Sequence, residues 1–213
     1  MKNNYVDVWN RMHKEFTKQK IVKYDDWLDE YEEIIKRNKT QIIDLGCGVT
    51  GNNTIYLLEK GKKVLSCDFA IEALKVVKRI EGTKTLLFDM LEPFPLQDNC
   101  TDLVIADLCL HYFREEDTKE IIKEIQRLLK CNGYLFIRVN STHSKEYQSI
   151  LDNNLEPIEY HLFFRKEIEK RFFDADDIKY YFKNFEIIDM KEENMNRWAP
   201  DKIIWKCVFR KDK

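Results

Sequence analysis

From residue 41 to about 140 the chain alternates short, nearly unbroken apolar runs with longer amphipathic stretches. QIIDLG (41–46), KVLSCD (63–68), KTLLFD (84–89), DLVIAD (102–107) and GYLFIRV (133–139) lack the polar alternation of a half-exposed strand and read as strands covered on both faces. Between them, residues 52–60, 71–80 and 115–130 carry helical spacing. In the last of these, Ile121, Ile122, Ile125, Leu128 and Leu129 fall on one stripe, and Cys131-Asn132-Gly133 signals its end and the turn into the next strand. Repeated strand-helix-strand units predict a mostly parallel sheet.

The flanks read differently. DADDIKYYFKNF (174–185) predicts a helix with an acidic first turn, and FEIIDMKEEN (185–194) and DKIIWKCVFRK (201–211) alternate apolar with polar positions around a turn signal at 196–200. That pair predicts an antiparallel hairpin on the sheet edge and brings the strands to seven in all. Residues 5–16 and 24–38 are helical stretches rich in Tyr and Trp, expected over the open end of the sheet. The fold class is α/β: a Rossmann-like three-layer α/β/α sandwich with a mostly parallel seven-stranded sheet and a C-terminal antiparallel hairpin. One domain is expected over 1–213, with a helical cap at 1–40, a cofactor-binding core at 41–140, and an acceptor-side insertion, helix and hairpin at 141–213.

Composition narrows the function more than the fold. Lys and Arg number 36 against 38 Asp and Glu, and the basic residues are scattered among acids, so no nucleic-acid face or membrane-surface patch is expected. The amino-terminal MKNNYVDVWNRMHKEF lacks the apolar core of a secretory signal, and no segment approaches about 18 uninterrupted apolar residues. A cytoplasmic protein is expected, monomeric or homodimeric. The six cysteines form no C-x-x-C pair and read as free, buried thiols; His13, His111, His143 and His161 are too dispersed for a metal-ligand pattern, and no metal is expected.

The stretch IIDLGCGVTGNN carries the chemistry. Gly46, Gly48 and Gly51 spell G-x-G-x-x-G at the end of the first strand, the spacing of a dinucleotide-binding turn. The ligand of such a sheet lies beyond the carboxyl ends of its strands, which suits either a nicotinamide or an adenosyl cofactor. Asp44, two residues before Gly46, separates the two. A carboxylate there opposes a pyrophosphate but favours the ammonium and sulfonium of S-adenosylmethionine; the same aspartate also suits capping of a backbone turn. Asp68, 20 positions after Gly48, suits the hydroxyls of an adenosine ribose, or equally the start of the helix near Ile71.

DLGCGVTGNNTIYL, VLSCDFAIEAL, LLFDMLEPFPLQDNCTDLVIADLCLHYF and IIKEIQRLLKCNGYLFIRVN resemble, in order, the successive motifs of the class I S-adenosylmethionine-dependent methyltransferases. The likeness is greatest to the small bacterial branch that includes tellurite-resistance-type enzymes. It implies that Asp44, Gly46, Gly48 and Gly51 form the loop around the methionine end of the cofactor, with Asn52 beside it. It further implies Asp68 on the ribose, Phe69 against the adenine, Asp89 on the adenine amino group with Met90 on the ring, and Ala106 and Asp107 near the transferred methyl. The departure is one extra residue in the loop: Thr50 stands where the family's third glycine is usual.

Methyl transfer from a sulfonium needs an aligned nucleophile, shielded from water, and in some cases a base. His111 and Tyr112, just past the fourth strand, are the candidate catalytic pair by position, although a histidine there also suits packing beneath the loop. Tyr5, Trp9, Tyr24 and Trp27 suit an acceptor pocket or lid, or plain packing; Arg138, Asn140 and Arg171 are polar groups within possible reach of an acceptor. Neither the Asn/Asp-Pro-Pro-Tyr/Phe run of amino-group DNA methyltransferases nor a Pro-Cys nucleophile is present, so a small-molecule acceptor is expected. An NAD(P)-dependent oxidoreductase and a catalytically silent cofactor-binding module are the alternatives.

Overall fold

In the computed structural model, residues 2–18, 25–195 and 202–212 are described, without the side chains of residues 2–4 and 18. Seven strands form one sheet: β1 (Ile42–Leu45), β2 (Val64–Asp68), β3 (Lys84–Leu87), β4 (Thr101–Asp107), β5 (Leu129–Asn140), β8 (Phe185–Asn194) and β9 (Ile203–Lys211), in the order β3-β2-β1-β4-β5-β9-β8. The first five are parallel, and β9 joins β5 antiparallel, with Phe136 opposite Val208. The order reverses between β1 and β4, which opens a crevice at their carboxyl ends.

Alternation along the strands divides the core into two faces. Ile43, Leu45, Val104, Ala106, Leu135 and Ile137 pack with Ile121, Ile122 and Ile125 of α5 (Glu115–Leu128) and Ile178 of α7 (Ala175–Tyr181). Ile42, Leu103, Ile105 and Phe136 face the other way, against Tyr56 and Leu57 of α3 (Asn52–Glu59) and the segment Trp27–Ile35. That segment holds a 3-10 turn at Asp29–Tyr31 and α2 (Glu32–Arg37); α4 (Ile71–Val77) links β2 to β3. Trp27 packs edge-on and Tyr31 at a tilt against the ring of Phe136, so this half of the expected cap covers a sheet face rather than the open end. The other half, α1 (Lys2–Lys18), does reach the open end. There it is tied to α4, where the N–H of Glu72 donates to Asn10, and to a hairpin through Arg11 and Glu167 at 2.5 Å.

That hairpin corrects the expected count: nine strands are present among the described residues, because β6 (Leu162–Arg165) and β7 (Ile168–Arg171) form a separate two-stranded sheet. Its turn residues Lys166 and Glu167 have φ of +46° and +73°, a tight turn normally announced by Asn or Gly. A further helix, α6 (Lys145–Asp152), occupies the polar stretch around 141–154. Ser144 caps it by accepting the N–H of Tyr147, and Tyr147 and Ile150 supply its buried face. Helix α5 ends at Leu128, two residues early, and the left-handed turn falls on Asn132. Tyr24 and the turn signal at 196–200 lie outside the described residues. Among the described residues no helix is long and apolar enough to cross a membrane, and all six cysteines are unpaired.

Phe136 is fully buried where the rings of Trp27, Tyr31 and Tyr134 converge. Phe136→Ala is expected to cost about 3–5 kcal/mol of folding free energy in a urea unfolding experiment, through lost transfer energy and the cavity left behind.

Candidate active site

The crevice at the carboxyl ends of β1, β2 and β4 opens into a cavity of about 720 Å³, within the range of small-molecule and cofactor sites. Gly46, Gly48, Asn52, Asp68, Phe69, Asp89, Met90, Asp107 and Tyr112 all line it; Asp44, Gly51, Ala106 and His111 lie behind its lining. Sequences far apart are brought together here: residues 45–50, 52–53, 67–69, 88–91 and 107–109 from the strand ends and the segments that follow them, Tyr5, Trp9, Met12, His13 and Phe16 from α1, and Ile168, Glu169 and Lys202 from the carboxyl-terminal third.

The glycine loop shows how the extra residue is accommodated. Gly51, with φ +56°, forms the amino-terminal cap of α3, and its Cα faces Val77 at the end of α4 and Ile80 just beyond it rather than the cavity. Val49 turns inward onto Ala70 and Ala73, and Thr50 and Asn52 remain on the cavity side. Gly46, with φ +61°, has no room for a side chain, since a Cβ there meets the Cβ of Cys109 at 2.5 Å.

Asp68 closes the loop from below. Its Oδ2 accepts the N–H of Gly48 at 2.9 Å and its Oδ1 the N–H of Ala70 at 2.9 Å, so one carboxylate holds both the loop and the entry to α4. Each oxygen keeps further acceptor capacity for a hydroxyl of a ligand. Burial raises its pKa, partly offset by these backbone donors and by His13. His13, which the sequence did not single out, is pushed down by burial despite the pull of Asp68.

Asp44 does not point into the cavity. Strand alternation turns it to the face covered by α3, where it is fully buried and accepts from Thr54 Oγ1 at 2.9 Å and Asn53 Nδ2 at 3.3 Å. Burial pushes its pKa up to about 7, against those two donors and with the help of Asp107. Asn53 bridges outward: its Nδ2 reaches Asp107 at 3.5 Å and its Oδ1 accepts the indole N–H of Trp27 at 3.0 Å. Asp107 in turn takes a two-pronged contact from Arg138, Nε to Oδ1 at 2.7 Å and Nη2 to Oδ2 at 2.8 Å, while Nη2 also reaches Asp25 at 2.6 Å. The guanidinium lies 4.5 Å from the Trp27 ring and is buried; burial opposes its charge, but Asp107 and Asp25 outweigh that and hold its pKa above the ordinary value. Two carboxylates, Asp25 and Asp107, thus share one guanidinium beneath the cavity, and Asp44 joins them only through Asn53.

Beyond Asp107 the backbone of Leu108 is held at φ +55°, its N–H donating to Arg138 O at 2.9 Å, and Leu108 lines the cavity. Strained backbone of this kind gathers at functional sites. Asp89 accepts the N–H of Leu91 at 2.9 Å, a local turn that sets Met90 and Leu91 into the wall.

The candidate pair divides. Tyr112 is on the wall, edge-on to Trp9 with ring centroids 4.8 Å apart, and burial raises its phenol pKa, so the hydroxyl is protonated at neutral pH. His111 is 1% exposed, with its ring 4.2 Å from that of Tyr112 and Nδ1 unpartnered; burial drives its pKa well below the ordinary value, so it is a neutral ring behind the wall. Of the aromatics, Tyr5 and Trp9 line the cavity and Trp27 is core. Arg138, Asn140 and Arg171 are buried away from it; Arg171 pairs with Glu159 at 2.5 Å and donates to Tyr160 O at 2.7 Å. The ligand atoms of His161, Asp174 and Asp177 lie within 4.8 Å of one another, outside the cavity, where Asp174 and Asp177 form the capping box of α7.

Residues 43–137 match the family model described as a methyltransferase domain. Among curated proteins, the chain is 29% identical over 97 residues to a malonyl-[acyl-carrier protein] O-methyltransferase of Hamiltonella defensa, covering 46% of this chain and 36% of that one. It is 30% identical over 108 residues to phosphoethanolamine N-methyltransferase 1 of Triticum aestivum, covering 48% and 22%. The chain therefore spans less than half the length of these relatives. A solved structure of an S-adenosylmethionine-dependent methyltransferase from Methanosarcina mazei superposes with a TM-score of 0.71 at 18% identity, over 85% of this chain and 97% of that one, a likeness of fold.

Two outcomes follow from the geometry. Because the folded protein holds the Asp44 proton up to about pH 7 while the unfolded chain releases it near 3.8, folding takes up a proton between those values. Its contribution to stability therefore falls as pH rises through that window. Unfolding free energies measured from pH 4.5 to 6.5 should fall less steeply in Asp44→Asn than in the parent, by at most ~1.4 kcal/mol per pH unit. Gly46→Ala is expected to lower the thermal midpoint by several degrees in calorimetry, since both backbone and Cys109 must give way.

Proposed function

Because residues 43–137 carry a class I S-adenosylmethionine-dependent methyltransferase domain, we propose that this chain transfers the methyl group of S-adenosylmethionine to a small-molecule acceptor by in-line displacement. The observation that carries the reading is the acidic floor of the cavity. Asp107 and Asp68 line it, Asp107 paired with Arg138 together with Asp25, and Asp44 lies behind them through Asn53. Such a floor favours a ligand bearing ammonium and sulfonium charge. It disfavours a pyrophosphate, for which the positive end of α3 is the natural seat; that end already faces the Asp44 carboxylate through Asn53 and Thr54.

Each residue then has a task. Asp68 accepts from the ribose while holding Gly48 in place, and the apolar Phe69, Met90 and Leu91 flank the adenine, with Asp89 at its amino group. Asp107, oriented by Arg138 and Asn53, faces the methionine end; Asp44 acts through Asn53 rather than by contact. The bound cofactor supplies an electrophilic methyl on sulfur, so the protein needs no covalent intermediate, only alignment and exclusion of water. Trp9 and Tyr5 of α1 cover the opening, and the protonated Tyr112 is placed to donate to an acceptor atom, with His111 positioning it from behind. The unpaired thiols accord with action in the cytoplasm.

The test is calorimetric titration with S-adenosylhomocysteine and, separately, NADH. Micromolar binding of the first and none of the second is expected, and Asp68→Ala should weaken S-adenosylhomocysteine at least tenfold through lost hydrogen bonds to charge. NADH binding without S-adenosylhomocysteine binding overturns the reading. A panel of thiols, amines, phenols, carboxylic acids and tellurite, scored for S-adenosylhomocysteine release, separates an active enzyme from a silent binding module.

A further inference from the structure

One wall of the cavity carries a cation with no counter-ion bonded to it among the described residues. Lys202, immediately before β9, lines the cavity, and its ammonium has no hydrogen-bond or ion-pair partner among the described residues. Its neighbours differ in this respect. Arg114 is clamped on Glu169 by contacts of 2.7 and 3.1 Å, Lys170 on Glu146 at 2.9 Å, and Arg138 on Asp107 and Asp25. The charges that face Lys202 are Lys170 and Arg138, which oppose its charge, and Asp107 and Glu146, which favour it but are already engaged elsewhere; the imidazole of His111 also feels it. Burial, followed by Lys170, pulls its pKa down to about 8, so it is still mostly charged at neutral pH.

An ammonium in such a place costs desolvation that no hydrogen bond or ion pair among the described residues offsets. The same cavity is lined by the rings of Tyr5, Trp9 and Phe113 and by Ile168, and two of its carboxylates, Asp107 and Glu169, are already paired with arginines. We infer that the acceptor is an organic acid: Lys202 pairs with a carboxylate or comparable anionic oxygen group on an otherwise apolar or aromatic molecule, and so determines acceptor specificity. The inference rests on the methyltransferase reading for the word acceptor, but the ion pair itself does not require it. Its sequence signal was slight, since Lys202 is one of many lysines and acquires meaning only where the start of β9 lies beside the carboxyl end of β5.

The probes are 3-phenylpropanoate and its uncharged isostere 3-phenylpropanamide, titrated into the full chain with and without saturating S-adenosylhomocysteine and followed by ligand-observed NMR. At pH 7 the acid should bind at least tenfold tighter than the amide, and this preference should decline above pH 8 as Lys202 loses its proton. Lys202→Met should abolish the preference, whereas Lys202→Arg, which keeps the charge but cannot give up its proton near neutral pH, should retain it. Binding of S-adenosylhomocysteine by both variants reports that they are folded; if a variant fails to fold, the pH dependence of the parent decides. Absence of acid preference in the parent, its persistence in Lys202→Met, or equal loss in Lys202→Arg overturns the inference, the last pointing to a proton-transfer role instead. Failure of S-adenosylhomocysteine to bind strikes at the cofactor reading alone, because the acid-amide comparison without it still reads Lys202.

Discussion

The contact between Arg138 and Asp107 is the constraint on which the site depends. A guanidinium this deeply buried is tolerable only with carboxylates at hydrogen-bond distance, and here Asp107 and Asp25 supply them while Trp27 covers the flat face. One residue thereby fixes three things: the end of β4, the packing of the segment after residue 25 on the sheet, and the turn at Leu108, whose N–H is held by the carbonyl of Arg138 itself. Asn53 extends the same network to Asp44 and α3, and Thr54 extends it to Ser66 on β2 at 2.7 Å. The three strands that meet at the switch point are thus joined by side chains as well as by the sheet ladder.

The electrostatic consequence is an acidic floor under a largely apolar cavity. Low local dielectric makes each uncompensated carboxylate matter more than it would in water, which is why Asp44 retains its proton to about pH 7 in the free protein. A cationic ligand relieves that condition, and an anionic one aggravates it. The opposite sign appears at Lys202, close to Asp107 in its electrostatic reach but bonded to no side chain among the described residues.

Much of this was legible in the residues. The five apolar runs gave the parallel strands in their places, and the tail gave the antiparallel pair, because burial on both faces or on one leaves different periodicities. Asp68 was open to two readings, a ligand acceptor or a helix entry, and the structure shows its two oxygens serving the loop and the helix together. The hairpin 162–171 was missed because Lys166 and Glu167 adopt left-handed backbone without the residues that advertise it, and α6 because only Tyr147 and Ile150 carry its buried face.

Local pattern and side-chain chemistry determined the strands, the glycine turn and the demand for acid near it, since periodicity and charge belong to residues one at a time. Tertiary structure decided which groups face the ligand. Asp44 was read as a direct contact, yet it points to the α3 side because alternation along β1 puts it there; His111 lies behind Tyr112; Trp27 covers Arg138. His13 and Lys202, more than 180 residues apart, share one cavity because α1 and the start of β9 both lie over the carboxyl ends of the strands. Direction and long-range proximity are properties of the folded chain, and no stretch of sequence contains them alone.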